Sequence, residues 1–418
     1  MISKPVEPIA DVRSQDHIGI GQALRNPISC PLCGAAPGEP FLTLKGAPIF
    51  CCVLCPSEQE SRAAATGDIE LTNCTTCGMV YNRAFNPSLV EYAPGYDNAL
   101  HFSPLFRNYS EALASRLIRD YGLSGGVIAE IGTGDGYFLD LITRYGANLG
   151  IGYDPSAKRQ QHSPREGALV QIIPELFEAG NLPPELDALI CRHVLEHLAS
   201  PLRFMTDLRT VLATRSPILF FEVPNAASTL QKLKLAEIIY EHFTYWTPLT
   251  LRALFNRSGF APSRISTDFD DQFLSVDGRP SEWSKTAQVL PDAAEVTRIA
   301  GWCRTFGERC SSQMLMWQNM VSDLRDQGRT VVSWGAGARG VTFVNLAMAD
   351  RTAIAGVVDI NPRKRGKYVP GCGLPVIAPD ELPSLRPDIV LLPNEIYRRE
   401  VSELLLGYGL NPEIRLIG

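Results

Sequence analysis

The sequence predicts an α/β protein with two Rossmann-like domains behind a small cysteine-rich module, and three observations predict it. Two glycine-rich turns occur in one chain, Glu130-Ile-Gly132-Thr-Gly134-Asp-Gly136 and Gly335-Ala-Gly337-Ala-Arg-Gly340. Seven of the eleven cysteines fall between residues 30 and 77. After the first turn, short apolar runs alternate with amphipathic ones, as in a mainly parallel sheet covered by helices on both faces. At 418 residues the chain exceeds one core. The expected division is a flexible tail over 1–27, a zinc-binding module over 28–102, a nucleotide-binding domain over 103–270, a connecting helical segment over 271–327, and a second Rossmann-like domain over 328–418.

Composition narrows the function classes. A hydrophobic content of 45% with 20% charged residues is that of a soluble globular protein. A net charge of −6 argues against a general nucleic-acid binder, because phosphate backbones are held by clustered Lys and Arg. The start, Met1-Ile-Ser-Lys-Pro, lacks an apolar export core, and no run reaches the roughly 20 apolar residues that span a bilayer. A cytoplasmic setting with reduced cysteines and a small-molecule partner is therefore expected.

In the N-terminal module, Cys30-Pro-Leu-Cys33-Gly and Cys74-Thr-Thr-Cys77-Gly are two knuckles that together make a closed four-thiolate site, the arrangement of a structural zinc. Cys51-Cys52-Val-Leu-Cys55 offers a pair in place of either knuckle. The glycine that follows each knuckle favours Cys30, Cys33, Cys74 and Cys77. Beyond the module, Ser103-Pro104 reads as a helix start, with Leu105, Tyr109, Leu113 and Leu117 at helical spacing.

The first glycine loop sits between the buried run Gly126–Ile131 and the helix opened by Tyr137, and its spacing is that of class I methyltransferases rather than of dinucleotide-binding dehydrogenases. Leu149–Tyr153 is the next strand and ends in Asp154, about 20 residues downstream, where such folds place the carboxylate that binds ribose hydroxyls. Strands at Leu186–Cys191 and Ile218–Val223 alternate with helices near 201–212 and 250–258. Ligands lie beyond the carboxyl ends of such strands, so the loops after Glu130, Tyr153, Cys191 and Val223 are expected to converge. Trp302, Phe306, Met314, Trp317, Val321 and Leu324 recur at helical spacing and read as interdomain packing. The strand Thr330–Trp334 enters the second glycine loop and Ile354–Asp359 follows, again ending in an acid. Taken alone this is a dinucleotide fingerprint.

The ordered set of cysteine knuckles, Glu-x-Gly-x-x-Asp-Gly loop and C-terminal stretch Val357–Ile377 resembles the class I S-adenosylmethionine-dependent C-methyltransferases of nucleotide-linked deoxyketosugars, over nearly the whole chain from Cys30. The resemblance implies S-adenosylmethionine as donor and a C-terminal domain that holds substrate without a redox cofactor. It assigns Gly132, Gly134, Asp135 and Gly136, with Glu130 at the loop entry, to the donor and Asp154 to its ribose. It places His197 near the reacting centre and Glu241-His242 in the substrate pocket. Ile239 stands where the family has tyrosine, with Tyr240 displaced by one residue, so oxygen or nitrogen of another tailoring substrate stays open beside carbon.

Removing a proton from the acceptor calls for a base that titrates near the working pH, which favours histidine or a perturbed tyrosine. His197, His242, Tyr240 and Glu241 are the catalytic candidates. His193 is assigned to the donor side, with a packed residue as the alternative. Glu222, Asn225, Tyr245 and Arg339 are substrate-binding candidates, a core role being the alternative for either tyrosine. The basic run Arg363-Lys364-Arg365-Gly366-Lys367 has the charge to meet a diphosphate. Two other classes are kept: an NAD-dependent oxidoreductase using the second glycine loop, and a non-catalytic zinc-dependent binding module.

Overall fold

The computed structural model describes residues 28–92, 95–164, 166–282, 291–347 and 353–417; the expected tail over 1–27 lies outside them. In chain order the strands of the first two units are β1 (Leu42–Pro48), β2 (Thr66–Asn73), β3 (Val80–Asn82), β4 (Val127–Ile131), β5 (Leu149–Tyr153), β6 (Gln160–His162), β7 (Leu169–Ile173), β8 (Ala188–Arg192), β9 (Ile218–Pro224), β10 (Thr244–Tyr245), β11 (Phe260–Asp268) and β12 (Phe273–Pro280). The last unit contains β13 (Val331–Trp334), β14 (Val357–Val358), β15 (Val376–Ile377), β16 (Ile389–Leu392) and β17 (Glu413–Leu416).

The central sheet has the order β11-β12-β9-β8-β4-β5-β7-β6. Strands β9, β8, β4, β5 and β7 are parallel, and β12 enters antiparallel beside β9. This is the class I methyltransferase arrangement. Strands β4, β8 and β9 are apolar apart from Glu130, Arg192 and Glu222 near their carboxyl ends, as in a sheet covered by helices on both faces. Because β12 runs to Pro280, this domain extends past the expected boundary at residue 270. The helix Pro104–Tyr121 starts where expected: Ser103 Oγ accepts the Phe106 N–H and Pro104 takes the first turn.

The N-terminal sheet, β1-β2-β3-β10, borrows its last strand from the central domain, so the module and the domain share a structure. A 34-residue helix, Ala293–Asp326, buries Phe306, Trp317, Val321 and Leu324. At Gly307 a Cβ would stand 2.0 Å from the Phe41 carbonyl oxygen, so glycine lets the helix lie directly on the module. Further along, Trp317 packs edge-on to Phe343 of the last unit, 5.2 Å between centroids. The expected interdomain packing role of this face is what the contacts display. That last unit is a parallel sheet of order β15-β14-β13-β16-β17. No helix of the described residues is long and apolar enough to cross a membrane.

Candidate active site

The four knuckle cysteines come together. Cys30 and Cys77 Sγ lie 3.6 Å apart, Cys33 and Cys74 Sγ 3.4 Å, and all four sulfurs lie within 4.8 Å of one another. Tetrahedral sulfurs about 2.3 Å from a zinc ion would be roughly 3.8 Å apart. Gly34 and Gly78 both take positive φ, 79° and 76°, and their N–H groups return to the Cys30 and Cys74 carbonyls at 2.8 Å, which is why glycine follows each pair. The middle cysteines stand apart. Cys51 Sγ meets Thr342 Oγ1 at 3.9 Å, Cys52 lines a cavity, and Cys55 exchanges backbone hydrogen bonds with Tyr368.

At the first glycine loop, Gly132, Gly134 and Gly136 all have positive φ. A Cβ at Gly132 would strike Val194 at 2.2 Å, whereas the space over Gly134 is open. Asp154 ends β5 and accepts the Gly134 N–H at 2.8 Å through Oδ2 and the Ser156 N–H at 2.8 Å through Oδ1. Glu130 lies buried under the loop, accepts from Thr133 Oγ1 at 2.7 Å, and is pushed up to about 7 by that burial. The second loop repeats the motif: Asp359 accepts the Ala336 N–H at 2.8 Å and the Asn361 N–H at 2.8 Å. There, however, the buried ammonium of Lys364 also rests on Asp359, at 3.2 Å. That carboxylate is already neutralised and poorly suited to ribose hydroxyls, which argues against the dinucleotide reading.

A cavity opens where the three units meet. It is lined by Cys52 and Tyr96 from the module, by His193, Glu196, His197, Glu241 and His242 from the central domain, and by Trp334, Gly335 and Arg339 from the last unit, with Asn361 and Lys364 beyond. The loops after β8 and β9 reach this cavity, while those after β4 and β5 meet each other at Gly134 and Asp154 outside its lining.

The titratable groups of the cavity are strongly perturbed. Glu241 is buried, its Oε2 accepts the Cys51 N–H at 2.8 Å, and burial pushes it up to about 7. His197 Nδ1 lies 2.7 Å from the Tyr92 hydroxyl and 3.0 Å from the Glu241 carbonyl oxygen, and its ring meets that of His242 edge-on at 4.9 Å. Burial lowers His197 and, with His197 beside it, pulls His242 down to about 3, so both rings are neutral near pH 7. His193 behaves oppositely. Burial disfavours its charge, but Glu196 at 3.7 Å and Glu222 at 3.1 Å outweigh burial and raise it to about 9. It sits at φ 53°, a conformation non-glycine residues rarely hold.

Four sequence candidates turn away from this cavity. The Tyr240 hydroxyl accepts the Asn86 N–H at 3.0 Å and its ring packs against Gly67 and Phe85, because the one-residue displacement points it into the module. The Tyr245 hydroxyl is taken by the backbone of Ile239. Burial would raise Glu222, but Arg192 and His193, with a hydrogen bond from Tyr109, hold it down at about 2, leaving it saturated. Asn225 caps the helix Ala226–Gln231 and donates to the Asp271 carbonyl. Arg339 does line the cavity, paired with Glu237 at 2.8 Å. Three of the four cations of the basic run are spent within the protein: Arg363 on Asp97 and Asp135, Lys364 on Asp359, Arg365 on Asp380 and Glu381. Sequence reasoning missed Tyr92, Tyr96, Glu196, His101 and Phe102. The aromatic density of residues 92–102 was the available signal.

Comparison with known proteins agrees with this architecture. Residues 104–263 match the family described as methyltransferase domain, and residues 290–405 match the C-methyltransferase C-terminal domain. The chain is 25% identical over 312 residues to C-methyltransferase NovU of Streptomyces niveus, covering 70% of this chain and 72% of that protein. It is 28% identical over 178 residues to a tRNA U34 carboxymethyltransferase of Campylobacter hominis, covering 38% of this chain and spanning only 59% of that protein's length. Among solved structures it is similar to magnesium protoporphyrin IX methyltransferase of Synechocystis PCC 6803 with bound SAH, at 16% identity and a TM-score of 0.33, covering 42% of this chain and 84% of that one.

Proposed function

We propose, for a chain that is a class I S-adenosylmethionine-dependent methyltransferase with a C-methyltransferase C-terminal domain, that the acceptor is a carbon beside a carbonyl in a nucleotide-activated sugar. One observation carries this reading: a single cavity is walled at one side by His197, Glu241 and His242 and at another by Gly335, Gly337 and the first turn of the helix Ala338–Ala347. Such a cavity suits a ligand with a reactive head among a carboxylate and imidazoles and an anionic tail toward the N-terminal end of the helix Ala338–Ala347. A sugar carried on a nucleoside diphosphate has that distribution of charge.

S-adenosylmethionine supplies an electrophilic methyl group when bound, and Gly132, Gly134, Asp135, Gly136 and Asp154 would hold it. The open space over Gly134 and the acid that ends β5 are the features that fit it. The chain's own task is then to hold the acceptor in line and take a proton from it. Glu241 is the proton acceptor in this proposal, because burial brings it to about 7. The residue lines the cavity, with Tyr96 beside it as a hydrogen-bond donor to its charged form. His242 is neutral and orients the acceptor by hydrogen bonding, and His197 is fixed for the same task by Tyr92. The charged His193 ring favours negative charge that develops on the acceptor oxygen. We assign the four knuckle cysteines to one structural zinc, since a closed thiolate set leaves no position for substrate.

The deciding experiment gives the protein labelled S-adenosylmethionine and a panel of nucleotide-linked ketosugars. Label in a carbon-bound methyl is the expected result, and label in an alkali-stable ether would move the acceptor atom to oxygen.

A further inference from the structure

Arg363 belongs to the C-terminal domain but spends its guanidinium on the first glycine loop. Its Nη1 lies 3.0 Å from Asp135 Oδ2, its Nε and Nη2 each lie 2.9 Å from the two oxygens of Asp97, and its Cζ stands 5.2 Å from the Phe102 ring centroid. Asp97 also accepts from Asn361 Nδ2 at 3.1 Å. At the other end of the same segment, Ser103 Oγ donates to Glu400 of the C-terminal domain at 2.7 Å. Residues 97–103 therefore form a strap with both ends tied to that domain. Between the ties, the His101 ring stacks on Tyr137, the first residue after the loop, at 4.5 Å and 13°, with Nε2 3.7 Å from Asp135. Asn361 and Lys364, which flank Arg363 in sequence, line the acceptor cavity.

We infer that Arg363 is a positioning residue of the donor site: by holding Asp135 and the strap Asp97–Ser103 over the first glycine loop, the C-terminal domain sets how tightly the sulfonium donor is kept. The inference rests on the reading that this loop holds the donor. A planar guanidinium that pairs with two carboxylates at once fixes both in orientation, which a point charge does not. Because the turn carrying Arg363 also borders the acceptor cavity, anything that shifts it on acceptor binding changes donor affinity, and the reverse holds by linkage.

The test is calorimetry on the full chain with S-adenosylhomocysteine as probe. Arg363→Gln is expected to weaken binding roughly tenfold. Arg363→Lys should recover part of that, and the thermal midpoint should stay near the wild-type value. Combined with Asp135→Asn, the losses should be less than additive, and KM for the donor should rise while kcat changes little. An Arg363→Gln protein that is folded and binds the probe as the wild type does would overturn the inference, as would full additivity with Asp135→Asn. If Arg363→Gln does not fold, Asp97→Asn and Arg363→Lys take the same readings, and wild-type affinity in both overturns it equally. Failure of the wild-type protein to bind the probe at all is a separate result, which removes the donor site and this inference with it.

Discussion

The Cys51 backbone N–H donates to Glu241 Oε2 at 2.8 Å, and this one bond ties the middle cysteine run to the wall of the cavity. It gives that run a role other than metal binding, because the segment places a backbone donor against a buried carboxylate. The Cys51 N–H and the Tyr96 hydroxyl together stabilise the charged form less than burial disfavours it, so the carboxyl titrates at about 7.

Glu241→Gln follows from this directly. It keeps the side-chain shape and the Cys51 contact but cannot take a proton, so turnover should fall by about two orders of magnitude or more. S-adenosylhomocysteine affinity should be unchanged. The sign of the pH dependence is fixed by the role: the carboxyl must be deprotonated to act, so kcat/KM in the wild type should rise with pH through about 7 and then level off. A profile flat from pH 6 to 8 would remove Glu241 as the base.

His242→Asn separates orientation from proton transfer. The imidazole is held near 3 by burial and by His197, so it takes no proton at working pH. The variant should lose roughly tenfold or more in turnover through misplacement of the acceptor yet keep the rise through about 7. Disappearance of that rise with His242 would transfer the base role to it.

The glycine loops, the two knuckles and the alternating strands were legible because each depends on spacing within a few residues. The cavity was legible only in part. His197, Glu241 and His242 lie on short motifs, but Tyr92 and Tyr96 arrive from an irregular segment more than a hundred residues away in the chain, and nothing local marks their partners. Glu222 and Asn225 end a central strand as expected, yet their polar atoms are consumed by Arg192, Tyr109 and the Asp271 backbone, and a sequence does not reveal saturation. The basic run looked like a phosphate site because its acidic partners, Asp97, Asp135 and Asp380, are remote from it in the chain.

Tyr240→Phe tests one of those corrections. Removing the hydroxyl leaves the Asn86 N–H without its acceptor, which costs about 1–3 kcal/mol when such a group stays buried. The thermal midpoint should drop while turnover per folded molecule stays within a few-fold of wild type. A collapse of turnover with no loss of stability would return Tyr240 to the mechanism.

The metal prediction reaches further than the cysteines. Elemental analysis should find one zinc per chain, lost in Cys30→Ser with Cys74→Ser and kept in Cys51→Ser with Cys52→Ser, since only the first pair belongs to the converging sulfurs. A closed four-thiolate site takes no direct part in methyl transfer in this proposal, yet a strong chelator should still lower turnover. The knuckle Cys74–Cys77 leads straight into β3, β3 pairs with β10, and the Asn82 N–H donates to the Phe243 carbonyl at 2.9 Å, one residue beyond His242. Loosening the module therefore loosens the histidine's backbone. The expected signature is loss of turnover in step with loss of module structure, while S-adenosylhomocysteine affinity falls less, because the first glycine loop belongs to the other sheet. Retention of metal in the Cys30 and Cys74 double variant would move the ligands to the middle run.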